Sequence, residues 1–113
     1  NPLAHWVENF STARILCIGD VMLDRFIQGQ VDRISPEAPI QVINIRHESA
    51  MLGGAGNVVR NLHALGAATG LISVVGDDAT GTQLMRMLGE EKNLQPYILV
   101  EKGRISTQKT RYI

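Results

Sequence analysis

Gly53-Gly54-Ala55-Gly56-Asn57 stands directly ahead of a stretch with helical periodicity, Val58, Val59, Leu62 and Leu65, which Gly66 stops. Glycines let a ligand approach the backbone closely, and the free N–H groups and dipole of the following helix favour an oxygen-rich or anionic ligand. A dinucleotide fingerprint fits this run only in part. Aligned on Gly54-Ala55-Gly56, it finds Val59 where its last glycine belongs, although Asp77 lies about 20 residues on, where a ribose-binding acid is expected. The fingerprint also needs a buried strand running straight into the turn, whereas here the preceding strand alternates in polarity and Glu48 to Leu52 separate it from the glycines. No Gly-Lys-Ser or Gly-Lys-Thr of a phosphate-binding loop occurs. A turn required for packing alone is the competing reading.

A second cluster, Gly19-Asp20-Val21-Met22-Leu23-Asp24-Arg25, follows an apolar strand, Arg14 to Ile18. Ligands of open α/β sheets bind at the carboxyl ends of strands, and a carboxylate there can accept hydrogen bonds from two vicinal sugar hydroxyls. The alternative makes Asp20 a turn former and Asp24 a solvated side chain. His5, His47 and His63 are scattered and no Cys lies at zinc-ligand spacing, so no metal cage is expected.

The elements that position these clusters follow from periodicity. Buried parallel strands are read at about 14–20, 69–75 and 94–100, and helices after Gly56 and from Thr80 or Gly81 to about Lys92, the second with Leu84, Met85 and Leu88 as its apolar stripe. Half-exposed strands are read at 26–31 and 40–47, with Asp32 to Pro39 between them as an ordered loop because it holds Pro36 and Pro39. Alternating strands and helices indicate an α/β core of three layers, with a mainly parallel sheet at about 14–20 and 54–100. The remaining strands, about 26–47 and 105–113, belong to a small flanking sheet, placed to cover a site or to pair with a second subunit. Trp6 and Phe10, four apart, are expected to dock an N-terminal helix on the domain.

Composition narrows the classes of function. In 113 residues, 11 acidic residues balance 11 basic ones, so no global field attracts nucleic acid or an anionic membrane. The longest uncharged stretch, Asn61 to Gly76, is too short and too rich in glycine to span a bilayer. The single Cys17 reads as a buried small hydrophobe in a reducing cytoplasm. Thr110-Arg111-Tyr112-Ile113 is β-prone with no turn residue to end it, and the chain reads as cut in mid-element.

Taken together, Gly53-Gly54-Ala55-Gly56-Asn57, Gly66, and Val75-Gly76-Asp77-Asp78-Ala79-Thr80-Gly81 resemble the first signature and the Gly-x-Asp-x-x-Gly element of the ribokinase-like, or PfkB-type, carbohydrate kinases. Val59 departs from that signature, which has a small residue there. Gly19 to Arg25 together with Arg33-Ile34-Ser35-Pro36-Glu37-Ala38-Pro39 resembles the heptose 7-phosphate kinase branch of the family. The likeness runs from about Arg14 to the end.

The resemblance implies a ribokinase-like α/β fold and transfer of phosphate from ATP, with Mg2+, to a sugar hydroxyl, here the anomeric hydroxyl of D-glycero-D-manno-heptose 7-phosphate. It further implies that Asp24 binds sugar hydroxyls, that Gly53, Gly54 and Asn57 form the floor of the sugar site, and that the loop with Arg33 and Glu37 contacts the heptose or its phosphate. Lys109 and Arg111 match the family's Lys-Thr-Arg and offer positive charge to a phosphate, with a solvated strand face as the alternative. The small flanking strands would then be the family's β-lid, through which a homodimer is expected. The family's catalytic base is the aspartate of a Gly-x-Gly-Asp motif that does not occur in these residues, so the chain alone is expected to be inactive. Alternatives are a PfkB-type kinase for another sugar or sugar phosphate, and a non-catalytic sugar-binding or dimerisation module.

Overall fold

The computed structural model describes residues 1–113 apart from the side chain of Asp32. Its elements run α1 (Pro2–Glu8), a 3₁₀ turn (Asn9–Thr12), β1 (Arg14–Ile18), β2 (Val21–Ile34), β3 (Gln41–Gly54), α2 (Ala55–Ala64), β4 (Ala68–Gly76), α3 (Ala79–Gly89), β5 (Leu94–Glu101) and β6 (Gln108–Tyr112).

Local chemistry sets the helix ends. Pro2 opens α1 and the Asn1 side chain accepts from the Leu3 N–H, while the Asp78 side chain accepts from the Gly81 N–H and caps α3. Gly66, at φ 94°, ends α2 in a Schellman motif: the Ala67 N–H donates to Leu62 O and the Gly66 N–H to His63 O.

The strands form two sheets. One is parallel, ordered β1-β4-β5; the other is ordered β3-β2-β6, with β2 and β3 antiparallel and β2 and β6 parallel. The second sheet, hereafter the lid, holds the strands expected to form one, and these are longer than their sequence pattern implies. Instead of 26–31 and 40–47, β2 and β3 span 14 residues each, and β3 runs through Glu48 to Leu52 into the glycine turn. Polar Glu48 and Ser49 hide this continuity in the sequence. They pair with Ile27 and Phe26, whose ladder keeps the chain extended.

The longer strands give the lid a root inside the core. Val21, Leu23 and Leu52 from the lid join Val59 of α2, Leu71 and Val75 of β4, and Leu84 and Leu88 of α3 in one buried cluster. At about 1.5–3 kcal/mol for each buried aliphatic side chain, these residues hold the lower half of the lid and both helices as one body. In α3 it is Met87, rather than the expected Met85, that packs against the cluster.

Helices α2 and α3 cover one face of the parallel sheet, that of Leu71 and Val75. The opposite face, with Leu16 and Ile18 of β1, Ile72 of β4, and Tyr97 and Leu99 of β5, carries no helix among the described residues, so these 113 residues hold two of the expected three layers. For the same reason β1 is not buried on both sides: Cys17 is half-buried and Ile18 is 74% exposed. Helix α1 buries no residue and Trp6 is 65% exposed, so the expected docking of this helix does not occur.

Candidate functional site

The lid root and the glycine turn meet at Gly54, the N-cap of α2. Its φ of 57° and ψ of −132° are backbone angles open to glycine, and a Cβ there would lie 2.4 Å from Asp20 O. The Ala55 N–H donates to that same Asp20 oxygen at 2.8 Å, and the Val21 N–H donates to Ser73 Oγ at 3.0 Å. These bonds fix where β2 leaves the core sheet. No side chain caps the first turn of α2, whose third residue, Asn57, is exposed.

Alternation along β2 separates its two faces. Val21, Leu23 and Ile27 point into the core, so Met22, Asp24 and Phe26 occupy the other face. Register places Lys109 of β6 beside Asp24, and Arg111 beside Phe26. Lys109 Nζ lies 3.6 Å from Asp24 Oδ1, and the Arg111 guanidinium stands over the Phe26 ring, 5.7 Å from its centroid. The Asp24 side chain is 19% exposed, and its Oδ1 is enclosed without a hydrogen-bond partner among the described residues. A methyl group at Gly53 would fall 2.6 Å from Asp24 Oδ2 and 2.7 Å from its Cγ, so the glycine is the room in which the carboxylate sits.

Asp24, Gly53, Lys109 and Arg111 therefore converge on one face of the lid, next to Gly54 and the start of α2, where Asn57 lies in the first turn. The face can accept hydrogen bonds at Asp24 and donate them from two cations, as a polyol with an anionic group requires. Arg33 and Glu37 are not brought to it. Arg33 lies nine positions beyond Asp24 along the extended strand, about 30 Å at 3.3 Å per residue, and both Arg33 and Glu37 are exposed near the far tip of the ribbon. The loop at that tip is shorter than expected, since β2 continues to Ile34.

The model of the pfkB family of carbohydrate kinases matches residues 12–110. This chain belongs to the pfkB family. Among curated pfkB relatives, it is 56% identical over 112 residues to the bifunctional protein HldE of Paramagnetospirillum magneticum, covering 99% of this chain and 23% of that protein. To the bifunctional protein HldE of Caulobacter vibrioides it is 53% identical over 113 residues, covering 100% of this chain and 23% of that protein. It thus spans about a quarter of the length of these relatives. Among solved structures, it is similar to phosphofructokinase-2 of Escherichia coli in complex with substrates and products (TM-score 0.64, 25% identity, 88% of this chain and 30% of that one). A carbohydrate kinase from Agrobacterium tumefaciens shares the fold at TM-score 0.70 and 22% identity, over 89% of this chain and 31% of that one. The ribokinase-like α/β fold expected from the sequence is thereby established.

One group of the pfkB Gly-x-Asp-x-x-Gly element had no role assigned from sequence. Asp78 Oδ1 accepts from the Gly81 N–H (2.8 Å) and Ser106 Oγ (2.7 Å), Oδ2 accepts from the Ser106 N–H (2.9 Å), and Ser106 Oγ in turn accepts from the Gly76 N–H (2.8 Å). The bonds from Ser106, then that from Gly81, hold the Asp78 carboxyl below the ordinary aspartate range. The capping half of this arrangement was visible in the sequence, as an aspartate ahead of Ala79-Thr80-Gly81; its partner Ser106 was not.

The pfkB kinases use ATP and Mg2+. Among the described residues no group of three or more His, Cys, Asp or Glu converges to hold a metal ion. No helix is long and apolar enough to cross a membrane.

Proposed function

We propose that this chain is the sugar-binding and lid portion of an ATP- and Mg2+-dependent kinase that phosphorylates the anomeric hydroxyl of D-glycero-D-manno-heptose 7-phosphate, a cytoplasmic step toward ADP-heptose and lipopolysaccharide. The observation that carries the reading is the enclosed Asp24 Oδ1, which lacks a hydrogen-bond donor and lies 3.6 Å from Lys109 Nζ, in a carboxylate seated against Gly53. A sugar hydroxyl supplies the missing donor. In this reading Gly53 gives the Asp24 carboxylate its room on the floor of the sugar site, Gly54 makes the turn into α2, Asn57 bonds a further hydroxyl, and Lys109 and Arg111 hold the phosphate already on the substrate.

Transfer forms a bond from the anomeric oxygen to the γ-phosphorus of ATP, breaks the bond from that phosphorus to ADP, and passes the hydroxyl proton to a base. That base is expected in a Gly-x-Gly-Asp absent from these 113 residues, so this chain positions the acceptor without completing the transfer.

Arg33 and Glu37 lie too far along the ribbon to share a sugar with Asp24 in one chain. They keep their expected role only across a homodimer, the state we assign to a lid whose outer half exposes Ile34, Ile40 and Ile45.

The likeness to phosphofructokinase-2 favours a second reading, in which the acceptor is another sugar phosphate such as fructose 6-phosphate. Calorimetric titration of the folded chain with both sugar phosphates and with ATP separates the two. Preferential binding of the heptose phosphate supports the first reading. Preference for fructose 6-phosphate supports the second, and binding of neither removes the sugar site from this face.

A further inference from the structure

The crossover from β5 to β6 passes over the carboxyl end of β4 with almost no clearance. A Cβ at Gly76 would lie 1.9 Å from Arg104 O, and one at Gly81 would lie 2.1 Å from Gly76 O and 2.9 Å from Ser106 Oγ. Ser106, 5% exposed, is the residue on which this passage closes. Its N–H and Oγ both donate to Asp78, so one carboxylate joins the start of α3, the end of β4 and the segment leading into the lid. Immediately after it, Thr107 O accepts from the Leu23 N–H at 3.0 Å, the first rung between β6 and β2. The ladder then places Lys109 beside Asp24 and closes with Ile113, whose N–H donates to Ile27 O and whose O accepts from the Gly29 N–H.

We propose that Asp78 is a positioning residue of the lid: by fixing Ser106 at the head of β6 it sets β6 along β2 and so delivers the Lys109 ammonium to Asp24. Helix capping alone does not account for the arrangement. The Gly81 N–H needs one oxygen of Asp78, whereas the second oxygen and a shared place on the first are taken by Ser106. The length of the connection gives the bond its reach. Between Glu101, the end of β5, and Gln108, the start of β6, the structure has no regular element, and Ile105 is 87% exposed, so beside the backbone contact of Arg104 with Gly76 the bonds of Ser106 are what hold the segment. The consequence for the sugar rests on the proposed role of Lys109; the placement of β6 does not.

Two variants separate the alternatives. Asp78→Asn can keep a carbonyl oxygen for the Gly81 N–H but turns an amide donor toward the Ser106 N–H. Ser106→Ala removes the hydroxyl and leaves the cap untouched. Hydrogen exchange followed by NMR reads both sheets at once. The expected result is exchange at least tenfold faster at the β2–β6 reporters, the amides of Leu23, Gly29 and Ile113, in both variants, with the core-sheet amides of Gly19, Ala68 and Thr69 unchanged. Affinity for heptose 7-phosphate is expected to fall at least fivefold in both. Should Asp78→Asn not fold, Ser106→Ala decides alone.

Uniform acceleration across both sheets, or acceleration confined to α3, overturns the proposal in favour of a purely structural cap. If the parent chain binds no heptose phosphate, the sugar reading fails while the exchange pattern still decides the placement of β6.

Discussion

Lys109 and Asp24 occupy paired positions on parallel strands, and the ammonium of one stands 3.6 Å from the enclosed carboxylate oxygen of the other. Lys109 is half-exposed, so the pair contributes less than about 1 kcal/mol to stability. Its consequence is chemical. A carboxylate oxygen shielded from water and left without a hydrogen-bond donor has room in its bonding for a hydroxyl, the partner proposed for it.

Asp24→Asn should leave the fold intact and weaken sugar-phosphate binding. A hydrogen bond to a charged group contributes about 1.5–3 kcal/mol, which corresponds to a loss of roughly 10- to 100-fold in affinity. Circular dichroism with calorimetric titration checks both halves of this expectation, and unchanged affinity counts against Asp24 as the hydroxyl acceptor.

Three glycines should respond differently to alanine. At Gly53 the new methyl displaces the Asp24 carboxylate, so binding falls more than stability. At Gly54 a positive φ and a Cβ 2.4 Å from Asp20 O should cost at least about 1–3 kcal/mol of stability. Gly89, at the end of α3 with nothing within 4 Å of its Cβ position, should gain up to about 1 kcal/mol. Urea unfolding of the three variants tests this order.

Acid should act on the Asp78 anchor in a defined direction. Its carboxyl is held below the ordinary range first by the Ser106 hydroxyl, then by the Ser106 and Gly81 N–H groups, so the folded state favours the ionised form. The stabilisation is therefore complete above the unfolded value, about pH 4 for aspartate, and is lost as pH falls through the lowered folded value. Melting temperatures of the parent chain and of Asp78→Asn should differ by a constant amount from pH 7 to 5 and converge below about pH 4. A gap that persists unchanged to pH 2 contradicts the role of ionised Asp78.

The outer half of the lid predicts self-association. Ile34, Ile40 and Ile45 are 63%, 60% and 49% exposed on a ribbon that is two strands wide there, and such a ribbon is marginal in water by itself. Sedimentation should show a dimer that Ile40→Glu with Ile45→Lys converts to monomer. A parent chain that stays monomeric at high concentration excludes this assignment.

The order of strands and helices was legible because it is written locally: apolar runs, two helical stripes, and glycines at Gly54 and Gly66 where the backbone takes positive φ. The glycine turn and Asp24 were legible as separate features for the same reason. Their contact was not, because it depends on the antiparallel register of β2 with β3, and the Asp24 to Lys109 pairing depends on a parallel register between strands far apart in sequence. Ser106 illustrates the same limit: a lone serine in a loop has no periodicity, and its partner Asp78 lies across a helix and a strand. Arg33 and Glu37 show the converse within one chain. Resemblance joined them to the sugar site, while the unbroken length of β2 carries them away from it.

The most direct test of the sugar-site assignment is titration of isotope-labelled chain with D-glycero-D-manno-heptose 7-phosphate, followed through its backbone amide resonances. Saturable shifts are expected at Asp24, Gly53, Gly54, Asn57, Lys109 and Arg111, with the β5 amides unmoved. Shifts confined to other residues, or none at concentrations that saturate a typical sugar kinase site, contradict the claim that this face of the lid holds the sugar.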